Sequence, residues 1–356
     1  MIKRIRRSVS VVLMVTLLAC IPQVAMAQKI LPITLGERME IVSVLADVEQ
    51  SKQSWGLANA DFTSFEIGNP IKTYNYADNA LEESMILYPI MSNGELVLWA
   101  VPIEGKFQIT NGLVKEIRML VRRNQPFALV YDADSVYAYL NDNLALLRQS
   151  NQSVLSRDKI NSVEDVSPYR IETARLDANI PLEYGTYMMN AEQTRATNVS
   201  CNVSYVTQNP YNKICWAAAI ACIANYKNNT NYTAVNVAQN RYGSNNFNQA
   251  INVEAFTVNI RRYGLPYYVD AYYENFDNKI YNSLLADNPV GGAFDVVESS
   301  FHATTIFGIN ILAGRIQVMD PEFGSTTATL SGSRYTYTSV VHGTTLVLHG
   351  ISYDEG

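Results

Sequence analysis

The sequence predicts an α+β fold, and three of its features lead to that prediction. Between residues 200 and 351, four segments with helical spacing come before five segments rich in strand-forming residues, and helices followed by strands are typical of α+β domains. Earlier in the chain, Asn93-Gly94 separates two apolar runs, which is a strong indication of a β-hairpin. The chain of 356 residues also contains 23 tyrosines, and tyrosine favours strands.

Residues 28–148 are predicted to form a β-rich N-terminal domain. Ser135 is placed to cap a helix, because a serine hydroxyl can accept a hydrogen bond from a free N–H group of the first turn. In chain order, the predicted elements are a helix at 37–52, hairpin strands at 85–91 and 96–101, further strands at 107–109, 113–121 and 127–131, and a helix at 135–147.

The second half of the chain, residues 200–356, has well-marked helix boundaries. Thr233 is predicted to cap a helix that Gly243 ends. The segment before this half, residues 149–199, is polar, contains Pro and Gly, and is predicted to be an irregular linker. In chain order, the second half has predicted helices at 215–226, 233–242, 253–263 and 277–286, then strands at 290–297, 302–311, 315–320, 326–330 and 344–351.

The first 27 residues have the pattern of a secretory signal peptide. A basic start is followed by an apolar stretch at residues 9–19 and by the small-residue cleavage pattern Ala25-Met26-Ala27. The apolar stretch is too short for a typical membrane span. Lipidation at Cys20 is the alternative, but the residues before it fit a lipoprotein pattern less well. We therefore expect the mature protein to be secreted or to lie in the cell envelope or periplasm.

The charge of the mature chain argues against two classes of partner. The chain has 27 basic and 33 acidic residues, and four of the basic ones lie in the signal peptide; removal of that segment leaves 23 against 33, a formal net charge of −10. Such an acidic chain is poorly suited to nucleic acid or to an anionic membrane surface. Neither is expected as a partner.

Three cysteines remain after removal of the signal peptide, namely Cys201, Cys215 and Cys222. An odd number in an exported protein leaves one thiol unpaired within the chain. A Cys201–Cys222 disulfide would leave Cys215 free, and the alternative is that both of these cysteines are core thiols. The chain has no Cys-x-x-Cys pair and its three histidines are widely spaced, so we expect neither a metal site nor a cofactor.

Cys215 is the strongest candidate for a reactive group. It begins the predicted helix 215–226, where free N–H groups and the helix dipole favour a thiolate, which is the reactive form. Lys213 adds positive charge nearby unless it points to solvent. A buried structural thiol is the alternative interpretation of the same cysteine.

A nucleophilic thiol needs a base, and the base needs a group that orients it. His302 opens one predicted strand and Asp320 ends the next, and the turn at Ala313-Gly314 lies near the midpoint between them. Antiparallel pairing of these strands would bring both side chains to the same end of a hairpin. Gln208, on the loop before Cys215, is a candidate oxyanion donor together with the Cys215 N–H.

The order of Gln208, Cys215-Trp216, His302 and Asp320 resembles that of the papain-like cysteine peptidases, in which a tryptophan also follows the nucleophile. The sequence MDP at the end of a strand makes the chain look most similar to the bacterial branch of staphopains, bacteriocin-leader peptidases and plant-pathogen effector proteases. The resemblance covers residues 200–351. The Cys-Gly-Ser-Cys-Trp run of papain itself is absent, which separates the chain from the papain subfamily more than from the fold.

The resemblance implies a papain-like catalytic domain, with N-terminal helices and a C-terminal antiparallel sheet, in a secreted cysteine peptidase that acts on polypeptides. The implied roles are nucleophile for Cys215, base for His302, orienting group for Asp320, oxyanion donor for Gln208 and a wall of the substrate cleft for Trp216. By analogy, residues 28–200 would be a propeptide or accessory domain that inhibits the precursor until cleavage within residues 185–200.

Two other functions stay open. One is a thiol acyl-transferase or amidase, of transglutaminase or cell-wall type, which uses the same order of catalytic residues. His302 follows Cys215 by 87 positions, which is a long separation for those enzymes. The other is a catalytically inactive papain-like scaffold that serves as a secreted binding protein. His342 and His349 are interpreted as structural or surface residues.

Overall fold

The computed structural model describes residues 33–77, 80–132, 135–140, 143–149, 173–175, 198–271, 276–295 and 301–356. Within it, Thr34–Gly356 forms one compact unit. The predicted signal peptide, with Cys20, and most of the predicted linker, with most of its expected processing range, lie outside the described residues. In the part of the chain that is described, no helix combines the length and the apolar character needed to cross a membrane.

The N-terminal region, which we define as residues 34–149, is rich in strands. In chain order its elements are α1 (Leu35–Gln50), β1 (Phe65–Gly68), β2 (Ile71–Ala77), β3 (Ala80–Ser92), β4 (Glu95–Ile103), β5 (Lys106–Thr110), α2 (Val114–Arg122), β6 (Ala128–Asp132), β7 (Ser135–Leu140) and β8 (Asn143–Gln149). Thr34 caps α1 with its hydroxyl. Asn93 and Gly94 turn the chain between β3 and β4 with φ angles of 51° and 76°, as the predicted hairpin requires.

The C-terminal region, which we define as residues 198–356, has helices first and strands second. After β9 (Thr173–Arg175), its elements are β10 (Asn198–Ser200), α3 (Cys215–Asn228), α4 (Ala234–Tyr242), α5 (Val253–Arg261), β11 (Tyr268–Ala271), α6 (Asp277–Leu285), β12 (Val290–Asp295), β13 (Phe301–Asn310), β14 (Arg315–Asp320), β15 (Gly324–Ser331), β16 (Arg334–Thr338) and β17 (Thr345–Tyr353). Thr233 caps α4 and Gly243 follows its end with a φ of 77°. The α+β prediction is confirmed, and the helix boundaries predicted for this region lie within two residues of those of the structure.

Six strands of the C-terminal region form a closed antiparallel ring. Each strand from β12 to β16 pairs with the strand that follows it, and β17 pairs with both β16 and β12. Helix α3 packs against this ring, where the Thr305 hydroxyl on β13 donates a 3.2 Å hydrogen bond to the Ala219 carbonyl. The ring and α3 together position Cys215, His302 and Asp320.

Two secondary-structure predictions for the N-terminal region are wrong. The segment predicted as a strand at 113–121 is helix α2, in which the buried Val114 and Ile117 are three residues apart and so share one helix face. Of the segment predicted as a helix at 135–147, residues 135–140 form strand β7 and residues 143–147 belong to strand β8. Strand β7 lies between β6 and β8, and its first four residues are buried, which is typical of a strand covered on both faces.

The predicted Cys201–Cys222 disulfide is not formed in the structure. Both cysteines are free and buried. The Cys201 sulfur lies 4.0 Å from the Leu284 carbonyl oxygen, whereas the Cys222 thiol interacts with Val206 and Thr305 inside the core. Burial raises the pKa of each thiol to about 12. Both residues therefore correspond to the alternative of two protonated core thiols.

The N-terminal and C-terminal regions share sheet hydrogen bonding within the compact unit. Strand β5 pairs with β15 through Thr110 and Thr326, and helix α1 contacts β14 through an ion pair between Asp47 and Arg315. The predicted division of the chain at residues 148 and 199 stays a prediction.

Candidate active site

Cys215 is the first residue of α3. Ile214 precedes it without a side-chain cap, so the first N–H groups of this helix have no partner from a capping side chain. The thiol is partly buried, and its sulfur accepts a 3.5 Å hydrogen bond from the backbone N–H of Ala303. Residues 216–224 of the same helix are all buried. The sulfur is thus held at a helix N-terminus next to the strand that carries His302.

Strands β13 and β14 bring His302 and Asp320 together at one end of their hairpin. Nε2 of His302 lies 2.7 Å from Oδ2 of Asp320. The last pair at this end of the hairpin is Thr305 with Met319, and His302 and Asp320 both lie just beyond it. The His302 side chain is 12% exposed, and that of Asp320 is fully buried.

Each member of this pair stabilises the charged form of the other. Although burial opposes protonation, the charge of Asp320, its hydrogen bond and the neighbouring Cys215 raise the pKa of His302 well above its ordinary value. Burial also opposes ionisation of Asp320, yet His302, Tyr337 and the Glu322 N–H hold the pKa of this carboxyl below its ordinary value. The pair is therefore imidazolium and carboxylate at neutral pH. Because Nε2 faces Asp320, Nδ1 is the nitrogen that remains for Cys215.

Asp320 has two further partners that sequence reasoning did not identify. The Tyr337 hydroxyl donates a 2.7 Å hydrogen bond to Oδ2, and the Glu322 N–H donates one of 2.8 Å to Oδ1. Both oxygens of the buried carboxylate are thereby satisfied, which offsets the cost of its burial. Tyr337 lies on β16, and β15 separates that strand from β14. No local spacing in the sequence predicts this contact.

Gln208 lies beside the turn that follows Asp320. Its backbone N–H donates a 2.9 Å hydrogen bond to the Pro321 carbonyl, and the Tyr205 hydroxyl donates to the same oxygen at 3.0 Å. Gln208 is 4% exposed, and its side-chain Oε1 has no hydrogen-bond partner among the described residues. Most buried polar side-chain atoms have a hydrogen-bond partner, so this Gln208 oxygen is an exception. The loop before Cys215 is thus attached to the turn that carries Asp320.

A second imidazole–carboxylate pair lies next to the first. Nε2 of His342 lies 2.8 Å from Oε2 of Glu322, and the two side chains are 25% and 8% exposed. Burial opposes the charge on His342, but the hydrogen bond and the charge of Glu322 raise its pKa. Since Glu322 also donates its N–H to Asp320, His342 belongs to the network around Asp320. Sequence reasoning assigned it only a structural or surface position.

A small apolar cleft opens beside Cys215. Its walls include Trp216, Phe256, Phe301 and Ala303, and Ala303 is also the residue whose N–H is bonded to the sulfur. The Trp216 indole N–H donates a 2.7 Å hydrogen bond to the Gln249 carbonyl, which fixes the ring. The structure therefore places Trp216 in the wall of a cleft next to Cys215.

The arrangement has the parts needed for nucleophilic attack on a carbonyl carbon. A thiol at a helix N-terminus lies near an imidazolium, and a buried carboxylate orients that imidazolium. Within the described ranges, no three side chains of His, Cys, Asp or Glu are grouped so as to hold a metal ion.

A protein-family model matches most of the C-terminal region. Residues 194–338 match the model of a family described as papain-like cysteine protease AvrRpt2, and this segment contains Gln208, Cys215, His302 and Asp320. No curated protein matches the chain. The match covers less than half of the chain; it supports a papain-like cysteine protease family, whose activity is that of a hydrolase, and not the staphopain-like branch in particular.

Proposed function

We propose that this protein hydrolyses peptide bonds through Cys215, His302 and Asp320. The proposal rests on one arrangement of three residues. The His302 imidazole lies 2.7 Å from the Asp320 carboxylate, and the backbone N–H of the next residue, Ala303, is hydrogen-bonded to the Cys215 sulfur. The matched family of papain-like cysteine proteases supports the same reaction. A protease acts on polypeptides, so the proposed substrate is a polypeptide chain.

In the proposed mechanism, Asp320 keeps the His302 imidazole oriented and protonated. The Cys215 sulfur, at the N-terminus of α3, reacts in the thiolate form, which is the nucleophile. The thiolate attacks the substrate carbonyl carbon, and the Cys215 N–H and the Gln208 side-chain amide stabilise the oxyanion. His302 then gives its proton to the leaving amine, and a thioester remains. A water molecule gives one proton to His302 and attacks the thioester, which releases the carboxylic acid and restores the Cys215 thiolate beside the His302 imidazolium.

The location and processing of the protein belong to the same proposal. Residues 1–27 direct export, and the mature chain is secreted or retained in the envelope or periplasm. The chain is made as a precursor that is cut within residues 185–200. Trp216, in the wall of the cleft beside Cys215, contacts the bound substrate. Inhibition by the N-terminal region stays a prediction that rests on the family resemblance.

The test of the proposed function is casein hydrolysis by the wild-type protein, by Cys215→Ala and by the matched control Cys222→Ala. Loss of the nucleophile is expected to lower the rate at least about 10³-fold, whereas the buried Cys222 is not in the site and its variant is expected to retain activity. Hydrolysis by Cys215→Ala would show that the mechanism is wrong.

Two further measurements distinguish the alternatives. Transfer of an amine donor to a glutamine-bearing protein without hydrolysis would identify a thiol acyl-transferase. Alkylation of Cys215 by iodoacetamide at no more than the rate of a model thiol, together with no hydrolysis, would identify an inactive binding scaffold. The proposal predicts faster alkylation than the model thiol, because the thiolate is the reactive form.

A further inference from the structure

Asp47 on α1 is a buried carboxylate whose partners come from the C-terminal region. It is 4% exposed. Its Oδ1 accepts hydrogen bonds from the side-chain amides of Asn198 (2.9 Å) and Asn310 (2.8 Å), and its Oδ2 accepts one from Nε of Arg315 (2.7 Å). Arg315 is itself 6% exposed. This cluster joins α1 to β10, β13 and β14. Burial of any one of these polar groups without its partners would be unfavourable in free energy.

Gln317 on β14 makes a second connection between the two regions. Its Oε1 accepts hydrogen bonds from the Trp55 indole N–H (2.8 Å) and from the Ser51 hydroxyl, and its Nε2 donates one of 3.1 Å to the Asp47 carbonyl. Trp55 also packs edge-on against Phe307 of β13, with ring centroids 6.4 Å apart. Gln317 and Trp55 are each 2% exposed, so polar and apolar surface are buried together in this contact.

The third connection is along strand β5. The Ile109 N–H donates a 2.9 Å hydrogen bond to the Thr327 hydroxyl. The Gln108 side chain donates hydrogen bonds of 2.8 Å to the Thr326 hydroxyl and to the Thr338 carbonyl, and its Oε1 accepts one of 2.7 Å from the Thr338 N–H. Gln108 is 1% exposed. The N-terminal region thereby satisfies polar groups on both β15 and β16.

The same contact reaches the turn that follows Asp320. Asn111 accepts a 2.8 Å hydrogen bond from the Ser325 N–H with its side-chain oxygen, and its own backbone N–H donates one of 3.0 Å to the Ser325 carbonyl. Gly324, which pairs with Asp320, lies so close to Asn111 that a Cβ there would collide with it. Loss of the N-terminal region would therefore expose the turn that supports the Asp320 carboxylate.

We propose that the N-terminal region is a permanent partner of the C-terminal region and stays bound as a separate chain after the polypeptide is cut within residues 185–197, the part of the expected processing range that precedes β10. A segment that blocks a cleft and then leaves needs a surface whose polar groups are satisfied by water after it departs. Here Arg315, Gln317 and Asp47 are buried and take their partners across the contact, and breaking such buried pairs is strongly unfavourable. The proposal does not depend on the peptidase activity.

The first test uses the full chain with Cys215→Ala, which removes self-cleavage if the proposed function is correct. A recognition sequence for an unrelated site-specific endoprotease, flanked by Gly-Ser linkers, is inserted after Tyr184. After complete cutting, seen on a denaturing gel, the sample is run on a gel-filtration column in non-denaturing buffer. We expect both fragments to elute together at the volume of the uncut chain. Separate elution would overturn the proposal, whatever the activity of the wild-type protein.

The second test compares two carboxylates that both face Arg315. Asp47→Asn removes the buried charge, whereas Glu40→Gln removes a carboxylate that lies 3.5 Å from Nη1 of Arg315 and is 34% exposed. In the cut protein, Asp47→Asn is expected to raise the dissociation constant of the fragments at least about tenfold, and Glu40→Gln by less than about threefold. Equal effects of the two variants would overturn the role of the buried cluster. If Asp47→Asn does not fold before cutting, as judged by circular dichroism, the gel-filtration result of the first test decides.

Discussion

The Tyr337 hydroxyl donates a 2.7 Å hydrogen bond to the Asp320 carboxylate oxygen that also faces the His302 imidazole. Burial and the charge of Asp320 raise the pKa of Tyr337 well above its ordinary value, so the phenol remains a donor throughout the neutral range. One oxygen thus has two partners that approach from different strands, β13 and β16. This shared oxygen restricts the orientation of the carboxylate and, through it, that of the imidazole beside Cys215.

Tyr337→Phe is expected to lower kcat/KM for casein about tenfold, because a hydrogen bond to a charged group contributes about 1.5–3 kcal/mol and only part of this is felt in the reaction. The expected loss is in kcat, since Tyr337 orients Asp320 and is not expected to bind the substrate. Tyr335→Phe is the matched control. That tyrosine lies two residues earlier on the same strand, is also buried, and donates its hydroxyl to Asp277. Equal losses in both variants would contradict the positioning role of Tyr337.

The helices and strands that the sequence predicts well are those with local boundary residues. Thr233 and Gly243 set the ends of α4 by a side-chain cap and a positive φ angle, and both properties are determined by the residue itself. Helix α2 and strand β7 were predicted wrongly because their state depends on neighbours. The β-branched Val114, Ile117 and Val121 of α2 favour a strand locally. Strand β7 is extended because it pairs with β6 on one side and β8 on the other.

The site residues also divide into those predicted from local spacing and those that depend on neighbouring strands. His302 and Asp320 lie at the same end of one antiparallel hairpin, so their proximity follows from the pairing of β13 with β14. Tyr337 reaches Asp320 across β15, and His342 reaches the network through Glu322. Those contacts require the order of strands in the closed ring, which no spacing in the sequence specifies.

Asp320→Asn is expected to destabilise the protein most between about pH 4 and pH 6.5. The pKa of His302 is raised in the folded state, so its contribution is complete below its unfolded value of 6.5 and is lost as the pH rises through the folded pKa. The pKa of Asp320 is lowered, so its contribution is complete above its unfolded value of 3.8 and is lost as the pH falls through the folded pKa. Within the window the free energy of unfolding is expected to fall by about 3 kcal/mol. The free energies of unfolding of the wild-type protein and of Asp320→Asn are measured with urea at about pH 5 and about pH 10. If the two proteins differ by the same amount at both pH values, the ion pair is contradicted.

His342→Gln and His349→Gln are expected to change stability in opposite directions in acid. The pKa of His342 is raised in the folded state, so its stabilisation is present below pH 6.5 and lost as the pH rises through the folded pKa. The pKa of His349 is lowered by burial and by Arg334, so its protonation favours unfolding as the pH falls below 6.5. At about pH 5.5, His342→Gln is expected to lower the unfolding free energy by on the order of 1 kcal/mol, and His349→Gln to raise it. Thermal unfolding at about pH 5.5 and pH 8.5 compares them, and a shift of the same sign in both variants at the lower pH would refute the assignment.

Gly291→Ala is expected to destabilise the protein and to narrow the cleft beside Cys215. Gly291 lines this cleft, and a Cβ built on it collides with the Phe256 ring. Both residues are buried, so the ring has little room to move and overpacking is expected to cost about 1–3 kcal/mol. Gly36→Ala is the control, because Gly36 lies in α1 with open space around it, and alanine there is expected to be neutral or stabilising by up to about 1 kcal/mol. Differential scanning calorimetry gives both values, and casein hydrolysis under folded conditions gives the effect on KM. A Gly291→Ala protein with an unchanged melting temperature and an unchanged KM would show that the Phe256 ring yields and that this wall of the cleft does not limit the substrate.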